Sequence, residues 1–433
     1  MRVTVVGAGY VGLVTAACLA ETGNDVVCAD LDSGKIELLR RNVIPIFEPG
    51  LEQLVRSNQE AGRLRLTSEV GPAIEEGRVV IIAVGTPHEQ SGAADLSQVI
   101  SVATEIAGHL NEPKVIVTKS TVPVGTTYRV RDHIAGMTAT PFSVCSNPEF
   151  LTQGAAVSDF MKPDRVVIGV ESLEAREAMD ELYSPYVRTG NPILYMDIAS
   201  AELTKYAANA MLASRVSFMN HIAELCDRVG ADVLQVRRGI AADHRIGPAF
   251  LFPGPGYGGS CLPKDLRALV ATARSCGMEP DLLEAIGAVN DRQKSLLLER
   301  TLAALAPDPS QATVAIWGLA FKAGTDDMRD SPAIPLVEGL LRAGVRVRAH
   351  DPKATDRARA LFGDQIDLVS DPYLAVDGAD SLVILTEWLP YRTPDFDRIH
   401  RMMRTPRILD GRNLYDPRRM KQYGFHYSGI GRR

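Results

Sequence analysis

The sequence predicts an α/β protein with two doubly wound parallel-sheet domains, joined by a long central helix and a helical middle segment. Short β-branched runs alternate with helical patterns at both ends of the chain, which is typical of a parallel sheet covered by helices. Between them lies a long stretch of helical spacing without Gly or Pro. A chain of 433 residues also exceeds what one hydrophobic core usually serves.

The first predicted domain covers residues 1–198 and contains six short apolar runs that we interpret as strands. They lie at residues 3–6, 26–29, 79–84, 114–118, 142–145 and 165–168. Helical patterns separate these runs, so the strands should be parallel and the sheet should carry helices on both faces.

The second predicted segment, residues 199–305, opens with one long helix. The residues that keep helical spacing over many turns are Leu203, Ala207, Ala210, Ser214, Phe218, Ile222 and Leu225. We expect this helix to be largely buried. A Gly/Pro-rich loop at residues 248–264 should interrupt the helical segment.

The third predicted domain, residues 310–433, follows a Pro-Asp-Pro linker at 307–309 and repeats the layout of the N-terminus. A strand at 313–317, a helix at 334–343 and a strand at 345–349 lead to Asp351, as residues 3–29 lead to Asp30. We interpret this as a diverged internal duplication. A longer loop at 320–330 replaces the tight glycine turn, so this copy should not bind a dinucleotide in the same way.

A glycine pattern, Gly7-Ala8-Gly9-Tyr10-Val11-Gly12, follows the first strand directly and opens a helix. In a Rossmann-like domain the first glycine makes the turn, the second admits a pyrophosphate and the third lets helix pack on strand. Asp30 at the end of the second strand would accept hydrogen bonds from ribose hydroxyls and repel a 2′-phosphate. The pattern therefore predicts NAD rather than NADP. The strand-end loops 84–87 and 120–123 lie where such sheets bind ligands.

A cysteine, Cys261, ends the glycine-rich segment at 256–260. A lone cysteine is usually a small packing residue. Beside a nicotinamide cofactor it has a chemical use, because an aldehyde can lose a hydride toward an acid only after a nucleophile has added to it. A Cys261 thiolate would form a thiohemiacetal and then a thioester, which water would hydrolyse.

Polar residues elsewhere suit the same chemistry. Lys205 and Asn209 are four residues apart on the predicted long helix and would project from one face. They are either a solvated polar stripe or a pair of donors that hold an alkoxide and a tetrahedral oxyanion. Asp265, Glu149 and the Thr121 hydroxyl could position and deprotonate water.

Composition excludes several other classes. The net charge of −6 and the lack of a Lys/Arg run argue against nucleic-acid binding. Six dispersed cysteines without a C-x-x-C pair argue against a metal site or a redox dithiol and favour reduced thiols in the cytoplasm. The first strand begins right after Arg2, which leaves no room for a signal peptide, and no apolar stretch reaches membrane-spanning length.

The chain resembles the UDP-glucose/GDP-mannose dehydrogenase family over essentially its whole length. The matching segments are VVGAGYVGLV, IFEPGLE, STVPVGT, NPEFL, ELTKYAANAM, DHRIG, PGYGGSCLPKD, LAFKAGTDDMRDSP and GFHYSGIGR. The resemblance implies a homodimer or higher homo-oligomer with the long helix at its axis. It implies NAD as cofactor and a nucleotide sugar as substrate, which we expect to be UDP-glucose oxidised at C6 to UDP-glucuronate.

The resemblance also implies specific residue roles. It makes Cys261 the nucleophile, gives oxyanion stabilisation to Lys205 and Asn209, and assigns the hydrolytic water to Asp265, Thr121 and Glu149. The cofactor-binding set it implies is Gly7, Gly9, Tyr10, Val11, Gly12, Asp30, Lys35, Gly85, Thr86, Thr121, Gln153, Lys264 and Arg329. The substrate-binding set is Glu149, Phe150, Leu151, Lys205, Asn209, Arg245, Phe250, Leu251, Tyr257, Gly258, Phe321, Lys322 and Arg412, with Arg245 reaching the substrate of a partner subunit.

The chain departs from the family pattern at Gln153, where NPEFL is usually followed by a glutamate. An amide cannot accept a proton at working pH, so proton acceptance shifts toward Glu149 and Asp265. Three alternatives remain: the same oxidation of GDP-mannose or a UDP-N-acetylhexosamine, a one-step hydroxyacid-type dehydrogenase, and a catalytically silent nucleotide-sugar-binding relative. The Gly-Gly-Ser-Cys loop argues against the second, and the retained polar residues argue against the third.

Overall fold

In the computed structural model the chain divides into two compact units. One consists of Met1–Ala208 and Arg267–Gly277, the other of Asn209–Leu266 and Met278–Arg433. The structure describes residues 1–89, 92–187, 190–305 and 307–432. The predicted fold class, two doubly wound α/β domains with a long helix between them in the sequence, is confirmed.

The first unit contains a sheet with the strand order β3-β2-β1-β4-β5-β6-β7-β8. Its strands are β1 (Arg2–Val6), β2 (Asp25–Ala29), β3 (Leu64–Thr67), β4 (Val79–Ile82), β5 (Lys114–Thr118), β6 (Phe142–Ser146), β7 (Val166–Val170) and β8 (Ile193–Met196). Its helices are α1 (Tyr10–Glu21), α2 (Ser33–Arg40), α3 (Leu51–Glu60), α4 (Val70–Glu76), α5 (Ser97–Gly108), α6 (Thr126–Ala135), α7 (Ala156–Met161) and α8 (Leu173–Tyr183).

Both faces of this sheet are buried, which explains its nearly continuous apolar strands. Val3 and Val5 of β1 pack on one face with α1, whereas Val80 and Ile82 of β4 pack on the other with α5. The prediction of an all-parallel sheet is wrong at one place, because β7 runs antiparallel to β6. An apolar run indicates a strand but not its direction, and here the chain re-enters the sheet at the end where β6 leaves it.

Four helices follow before the second sheet: α9 (Ile198–Val229), α10 (Val233–Ala241), α11 (Leu262–Ser275) and α12 (Asp281–Leu305). The predicted long helix is therefore present. The expectation that it is largely buried is wrong for Leu203, Ala207, Phe218 and Leu225, which are exposed. Met219, Ala223 and Cys226 contact the core instead, because apolar residues occupy more than one face and helical spacing does not tell which face is covered.

The second unit contains a parallel sheet with the order β11-β10-β9-β12-β13-β14. Its strands are β9 (Thr313–Trp317), β10 (Arg346–His350), β11 (Asp367–Leu368), β12 (Ser381–Ile384), β13 (Arg407–Asp410) and β14 (His426–Gly429). Its helices are α13 (Ala333–Arg342), α14 (Thr355–Phe362), α15 (Pro372–Val376), α16 (Leu389–Arg392), α17 (Phe396–Met402) and α18 (Pro417–Gln422), with short 3₁₀ turns at Pro309–Gln311 and Gly363–Gln365.

The two units repeat one hydrogen-bonding pattern where their first two strands end. Gly7 N–H donates to Ala29 O at 2.7 Å, and Gly318 N–H donates to His350 O at 2.8 Å. Both glycines have positive φ, 109° and 94°. The acid that follows the second strand accepts from the next turn amide in each case, Asp30 from Ala8 and Asp351 from Leu319, both at 2.7 Å. These shared contacts support the predicted internal duplication.

No helix in the described part of the chain is both long and apolar enough to cross a membrane.

Candidate functional site

The glycine turn after β1 leaves room where a dinucleotide needs it. A Cβ on Gly7 would lie 2.5 Å from Ala83 O, and one on Gly12 would overlap Gly7 O, so both positions require glycine. A Cβ on Gly9 would meet no atom of the described residues within 4 Å. No side chain caps the N-terminus of α1 at Gly9, where Tyr10 and Val11 begin the helix. These backbone N–H groups fit an anionic group such as a pyrophosphate.

Asp30 is held in place by several donors. Its carboxylate accepts hydrogen bonds from Ala8 N–H at 2.7 Å and Asp32 N–H at 3.0 Å, and Lys35 Nζ lies 2.8 Å away. Partial burial raises the pKa of this carboxyl, but the contacts with Lys35 and the two amides outweigh burial, so the pKa lies below its usual value. A permanent carboxylate here suits a ribose diol. The structure thus places Lys35, predicted to bind cofactor, against Asp30.

Other predicted cofactor residues lie in loops at the strand ends of the same unit. Thr86 Oγ1 donates to Thr121 O at 2.8 Å, which joins the loops after β4 and β5, and Gly85 lies beside Thr86 and is exposed. Gln153 lies in a turn after β6. The neighbouring Gly154 N–H donates to Glu48 at 2.7 Å.

Glu48 is a buried carboxylate that the sequence analysis missed. It accepts from Gly154 N–H, from Ala156 N–H at 2.8 Å and from the Tyr10 hydroxyl. It therefore connects the glycine helix α1 with the turn that carries Gln153. IFEPGLE was only a matching segment in the sequence, and nothing in it indicates where this carboxylate points.

Glu149 and Lys205 form a buried ion pair in the first unit. Lys205 Nζ lies 3.0 Å from Glu149 Oε1, and Leu151 N–H donates to Glu149 Oε2 at 2.6 Å. Phe150 contacts both cations nearby, Lys205 and Arg165, through its ring. Burial raises the pKa of Glu149, but the charge and hydrogen bond of Lys205, the Leu151 amide and the charge of Lys119 together outweigh burial, so the pKa is lowered. Glu149 is thus ionised, as a proton acceptor must be.

The second unit contains Cys261, which immediately precedes α11 and is partly exposed. The glycines before it pack tightly against the loop at 320–330. A Cβ on Gly258 would overlap Asp330 O, and Gly259, with φ 85°, would bring a Cβ within 2.9 Å of the Phe321 ring. The start of a helix favours a negative charge, so the position suits a thiolate. Ser260 Oγ lies 3.6 Å from the sulfur.

Asp265, four residues after Cys261, is almost completely buried. Asn209 Nδ2 donates to its Oδ2 at 2.6 Å, and Lys264 Nζ lies 2.7 Å from its Oδ1. Three predicted site residues are therefore in direct contact. The solvated polar stripe is excluded for both members of the predicted donor pair, because Lys205 and Asn209 are buried and each contacts a carboxylate.

Arg329 is fixed close to this loop. Its backbone O accepts from Gly259 N–H at 2.8 Å, and its guanidinium makes two hydrogen bonds with Asp327, at 2.9 and 2.7 Å. The hydrogen bonds to Asp327 raise the pKa of Arg329, and the negative charge of a Cys261 thiolate adds to this effect. The side chain stays largely exposed, so it can still meet an anionic ligand. Asp327 was not predicted.

Three predicted substrate residues gather at the ends of β12 and β13. Arg412 donates to Leu385 O at 2.7 Å and to Phe321 O at 2.6 Å, and Lys322 Nζ lies 5.8 Å from the centre of the Phe321 ring. Glu387 Oε2 lies 3.3 Å from Arg412 Nε. Burial raises the pKa of Glu387, but the charges of Arg412 and Lys322 and the backbone hydrogen bonds together outweigh burial, so the pKa is lowered. Glu387 is a further residue that the sequence analysis missed.

The remaining predicted substrate residues lie in the loop before Cys261. The Asn290 side chain binds both backbone groups of Tyr257: its Oδ1 accepts from Tyr257 N–H at 2.8 Å, and its Nδ2 donates to Tyr257 O at 3.1 Å. Leu251 is buried in the core, whereas Phe250 is exposed with a φ of 58°. Arg245 is exposed, and its described contacts are with Asp243. Its guanidinium is therefore accessible to another molecule.

Comparisons with known proteins identify the same family in three successive parts of the chain. Three domain models of the UDP-glucose/GDP-mannose dehydrogenase family match: the NAD binding domain at residues 1–187, the central domain at 199–292 and the UDP binding domain at 315–417. A UDP-glucose 6-dehydrogenase of Pseudomonas aeruginosa is 49% identical over 100% of this chain and 98% of its own length.

Solved structures of dehydrogenases that act on nucleotide sugars also match the whole chain. A UDP-glucose dehydrogenase from Pyrobaculum islandicum matches with a TM-score of 0.93 and 35% identity, covering 100% of this chain and 98% of that one. A UDP-D-ManNAc dehydrogenase from Pyrococcus horikoshii matches with a TM-score of 0.88 and 28% identity, covering 100% and 99%.

Proposed function

Because the chain belongs to the UDP-glucose/GDP-mannose dehydrogenase family, we propose that it oxidises C6 of UDP-glucose to the carboxylate of UDP-glucuronate in two NAD-dependent steps. The observation that carries the covalent part is the position of Cys261. It ends a glycine-rich loop, precedes a helix and lies four residues before a buried carboxylate, Asp265, that Asn209 and Lys264 hold.

The proposed reaction balances as follows. The C6 alcohol loses a proton and a hydride and becomes an aldehyde. The Cys261 thiolate adds to the aldehyde carbon, and the resulting thiohemiacetal loses a second hydride to form a thioester. Water breaks the C–S bond and leaves the carboxylate, the Cys261 thiol and a proton. NAD accepts one hydride in each oxidation, so two NADH form per sugar.

The buried polar residues supply the remaining chemistry in this proposal. Lys205 and Asn209 donate to the oxygen that carries negative charge at C6. An ammonium has three N–H donors and an amide has two, so each can serve its carboxylate and a substrate oxygen. Glu149 accepts the proton of the hydrolytic water, which Asp265 and Thr121 position. Gln153 can donate or accept hydrogen bonds in this process but takes no proton.

The ligand-binding roles follow the same division. The residues around the glycine turn bind NAD in this proposal, together with Asp30, Lys35, Gly85, Thr86, Thr121, Gln153, Lys264 and Arg329. Phe321, Lys322 and Arg412, with the loop residues Phe250, Leu251, Tyr257 and Gly258, bind the nucleotide sugar. Phe150 and Leu151 flank it, and Arg245 reaches the substrate of a partner subunit.

We also propose a cytoplasmic homodimer or larger homo-oligomer with domains at 1–198, 199–305 and 310–433. Support for self-association comes from Met211, Phe218 and Leu225 of α9, which recur every seven residues and are all more than half exposed. Light scattering on the purified protein tests this, with Phe218→Asp expected to lower the mass toward that of one chain.

The function is tested by counting NADH formed per nucleotide sugar consumed, with UDP-glucose, GDP-mannose and UDP-N-acetylhexosamines in parallel. We expect two NADH per UDP-glucose. Cys261→Ser should lose this four-electron oxidation yet still bind NAD, whereas Cys276→Ser, which changes an exposed thiol just after α11, should behave as wild type. Normal acid production by Cys261→Ser would exclude the covalent route, and one NADH per sugar would exclude the double oxidation.

A further inference from the structure

Lys119 is a buried lysine that neither the family comparison nor the proposed mechanism uses. It immediately follows β5 and is 3% exposed. Its Nζ donates to Asn147 Oδ1 at 3.0 Å and to the Tyr183 hydroxyl at 3.2 Å, and lies 5.7 Å from the centre of the Phe160 ring. Burying an ammonium group costs free energy, so a buried lysine is expected to lie near a negative charge that offsets this cost.

The negative charge that acts on Lys119 is that of the Glu149 carboxylate. The ammonium of Lys119 helps to lower the pKa of Glu149, alongside the stronger effect of Lys205. Lys119 is also linked to Glu149 through the chain. It holds the side chain of Asn147, which Tyr183 also contacts at 2.6 Å, and Asn147 lies two residues before Glu149 in the segment after β6. Glu149 thus has two buried cations in its surroundings.

A cavity of about 140 Å³ is lined by both Lys119 and Glu149. Lys162 and Asp164, which are exposed, line the same cavity, so it opens to solvent. This volume has room for a few water molecules. Protons can therefore reach Lys119 and Glu149 without any opening of the fold. A group that titrates during turnover needs such access.

The ionisation state of Lys119 suits this role. Burial lowers its pKa to about 8, while the charge of Glu149 works in the opposite direction. Lys119 thus stays positive below about pH 8, throughout the range in which a carboxyl group titrates. The other titratable groups facing the cluster or its cavity are Lys205, Cys145, Tyr183, Asp159, Lys162, Asp164 and Arg165. Burial raises the pKa of Cys145 to about 12, so it stays neutral.

We propose that Lys119 is a positioning residue for thioester hydrolysis, which fixes the Asn147–Glu149 segment and keeps the Glu149 carboxylate ionised so that it can accept a proton from water. This inference rests on the proposed function, since it assigns Lys119 to a step of that reaction. Lys119 acts through Glu149 and need not touch the substrate.

The test measures the decay rate of the Cys261 thioester rather than the turnover rate. Once Cys261 is acylated it has no thiol that can titrate, so its ionisation does not affect the pH profile. Enzyme is mixed with UDP-glucose and NAD, quenched at short times between pH 4 and pH 8, and the adduct is quantified by intact mass. In wild type the decay rate should stay level over most of this range and fall only near its acid end, because the pKa of Glu149 lies below its usual value. Removing a nearby cation raises the pKa of a carboxyl, so Lys119→Met should move this fall upward by about one pH unit.

Matched variants separate charge from packing. Lys119→Arg keeps the charge and should keep the wild-type pH profile. Tyr183→Phe removes the hydroxyl that contacts Lys119 and Asn147 but leaves the charge, so it too should keep the profile. Lys119→Gln replaces Lys119→Met if the latter does not fold, with the same expected displacement.

The outcomes are distinguishable. An unchanged profile in both Lys119→Met and Lys119→Gln would overturn the inference, as would a displacement in Tyr183→Phe as large as that in Lys119→Met. If wild-type enzyme forms no Cys261 adduct after rapid quenching and does not make two NADH per UDP-glucose, the proposed function fails first and the role of Lys119 fails with it.

Discussion

The Asn209 amide donates a 2.6 Å hydrogen bond to the carboxylate of Asp265, which is 1% exposed and lies one helical turn beyond Cys261. A buried acid with an amide on one oxygen and the Lys264 ammonium on the other is held in one orientation. If it positions the hydrolytic water, its charge should matter more for hydrolysis than for NAD binding.

Asp265→Asn is therefore expected to lower kcat by about 100-fold or more, in line with the loss of a positioned acid–base group. Thioester should accumulate on Cys261 and be visible by intact mass, while the NAD dissociation constant stays unchanged. Asp281→Asn provides the control, because Asp281 also lies in the first turn of a helix but is exposed. Wild-type turnover by Asp265→Asn would remove Asp265 from the mechanism.

Gly9→Ala tests the cofactor site with little risk to the fold. The new Cβ would meet no atom within 4 Å in the part of the chain that the structure describes, and the backbone φ is −78°, so the temperature of thermal unfolding should change little. The methyl group would stand where a pyrophosphate approaches, and NAD affinity measured by calorimetry should fall at least about tenfold. Gly108→Ala is the control, because a Cβ there also meets no atom of the described residues within 4 Å, and it should leave the NAD affinity unchanged. Unaltered NAD affinity in Gly9→Ala would mean that the pyrophosphate binds elsewhere.

Asp30 and Lys35 together should decide cofactor choice. In Asp30→Asn the repulsion of a 2′-phosphate disappears, and Lys35, which lies 2.8 Å from Asp30 Oδ2, loses its carboxylate partner. We expect weaker use of NAD and measurable use of NADP in steady-state assays. The double change Asp30→Asn with Lys35→Met should lose the NADP activity. Equal NADP use by the single and double variants would exclude Lys35 as the phosphate partner.

Glu387 should act on substrate affinity through Arg412. Its Oε2 lies 3.3 Å from Arg412 Nε, and this guanidinium also holds Phe321 O and Leu385 O. Glu387→Gln would weaken this anchoring and should raise KM for UDP-glucose about tenfold while KM for NAD is unaffected. Glu338→Gln, on the exposed face of α13, is the matched control. Parallel changes in both KM values would indicate a general loss of structure instead.

Local patterns predicted much of the architecture. Buried β-branched runs located β1, β2, β4, β5 and β6 to within two residues at either end, and the glycine pattern identified the turn before α1. The loop predicted at 248–264 ends earlier than expected, because Leu262 and Pro263 already belong to α11. Proline fits the first turn of a helix, where no N–H donor is needed, so its presence did not mark a loop there.

Contacts between distant segments account for what the sequence did not predict. Glu48 reaches Gly154 across 106 residues, and Lys119 reaches Tyr183 across 64. A carboxylate or an ammonium in a polar loop is usually solvated, and only the folded chain shows that these two are buried. The buried ion pair of Glu149 and Lys205, 56 residues apart, was likewise not predictable as a contact, although both residues were predicted to belong to the site.

The repeated turn has a consequence for recognising nucleotide sites from sequence. Gly318 and Asp351 reproduce the strained glycine and the strand-end acid of Gly7 and Asp30 in a domain whose following loop keeps no counterpart of Gly9 or Gly12. In this chain, the first glycine and the strand-end acid of the dinucleotide pattern therefore also serve to join strand and turn in a domain that lacks the rest of the pattern. Gly9 is the position of this pattern at which the described structure leaves space for a ligand, so a search for dinucleotide sites should give it more weight than the other three residues.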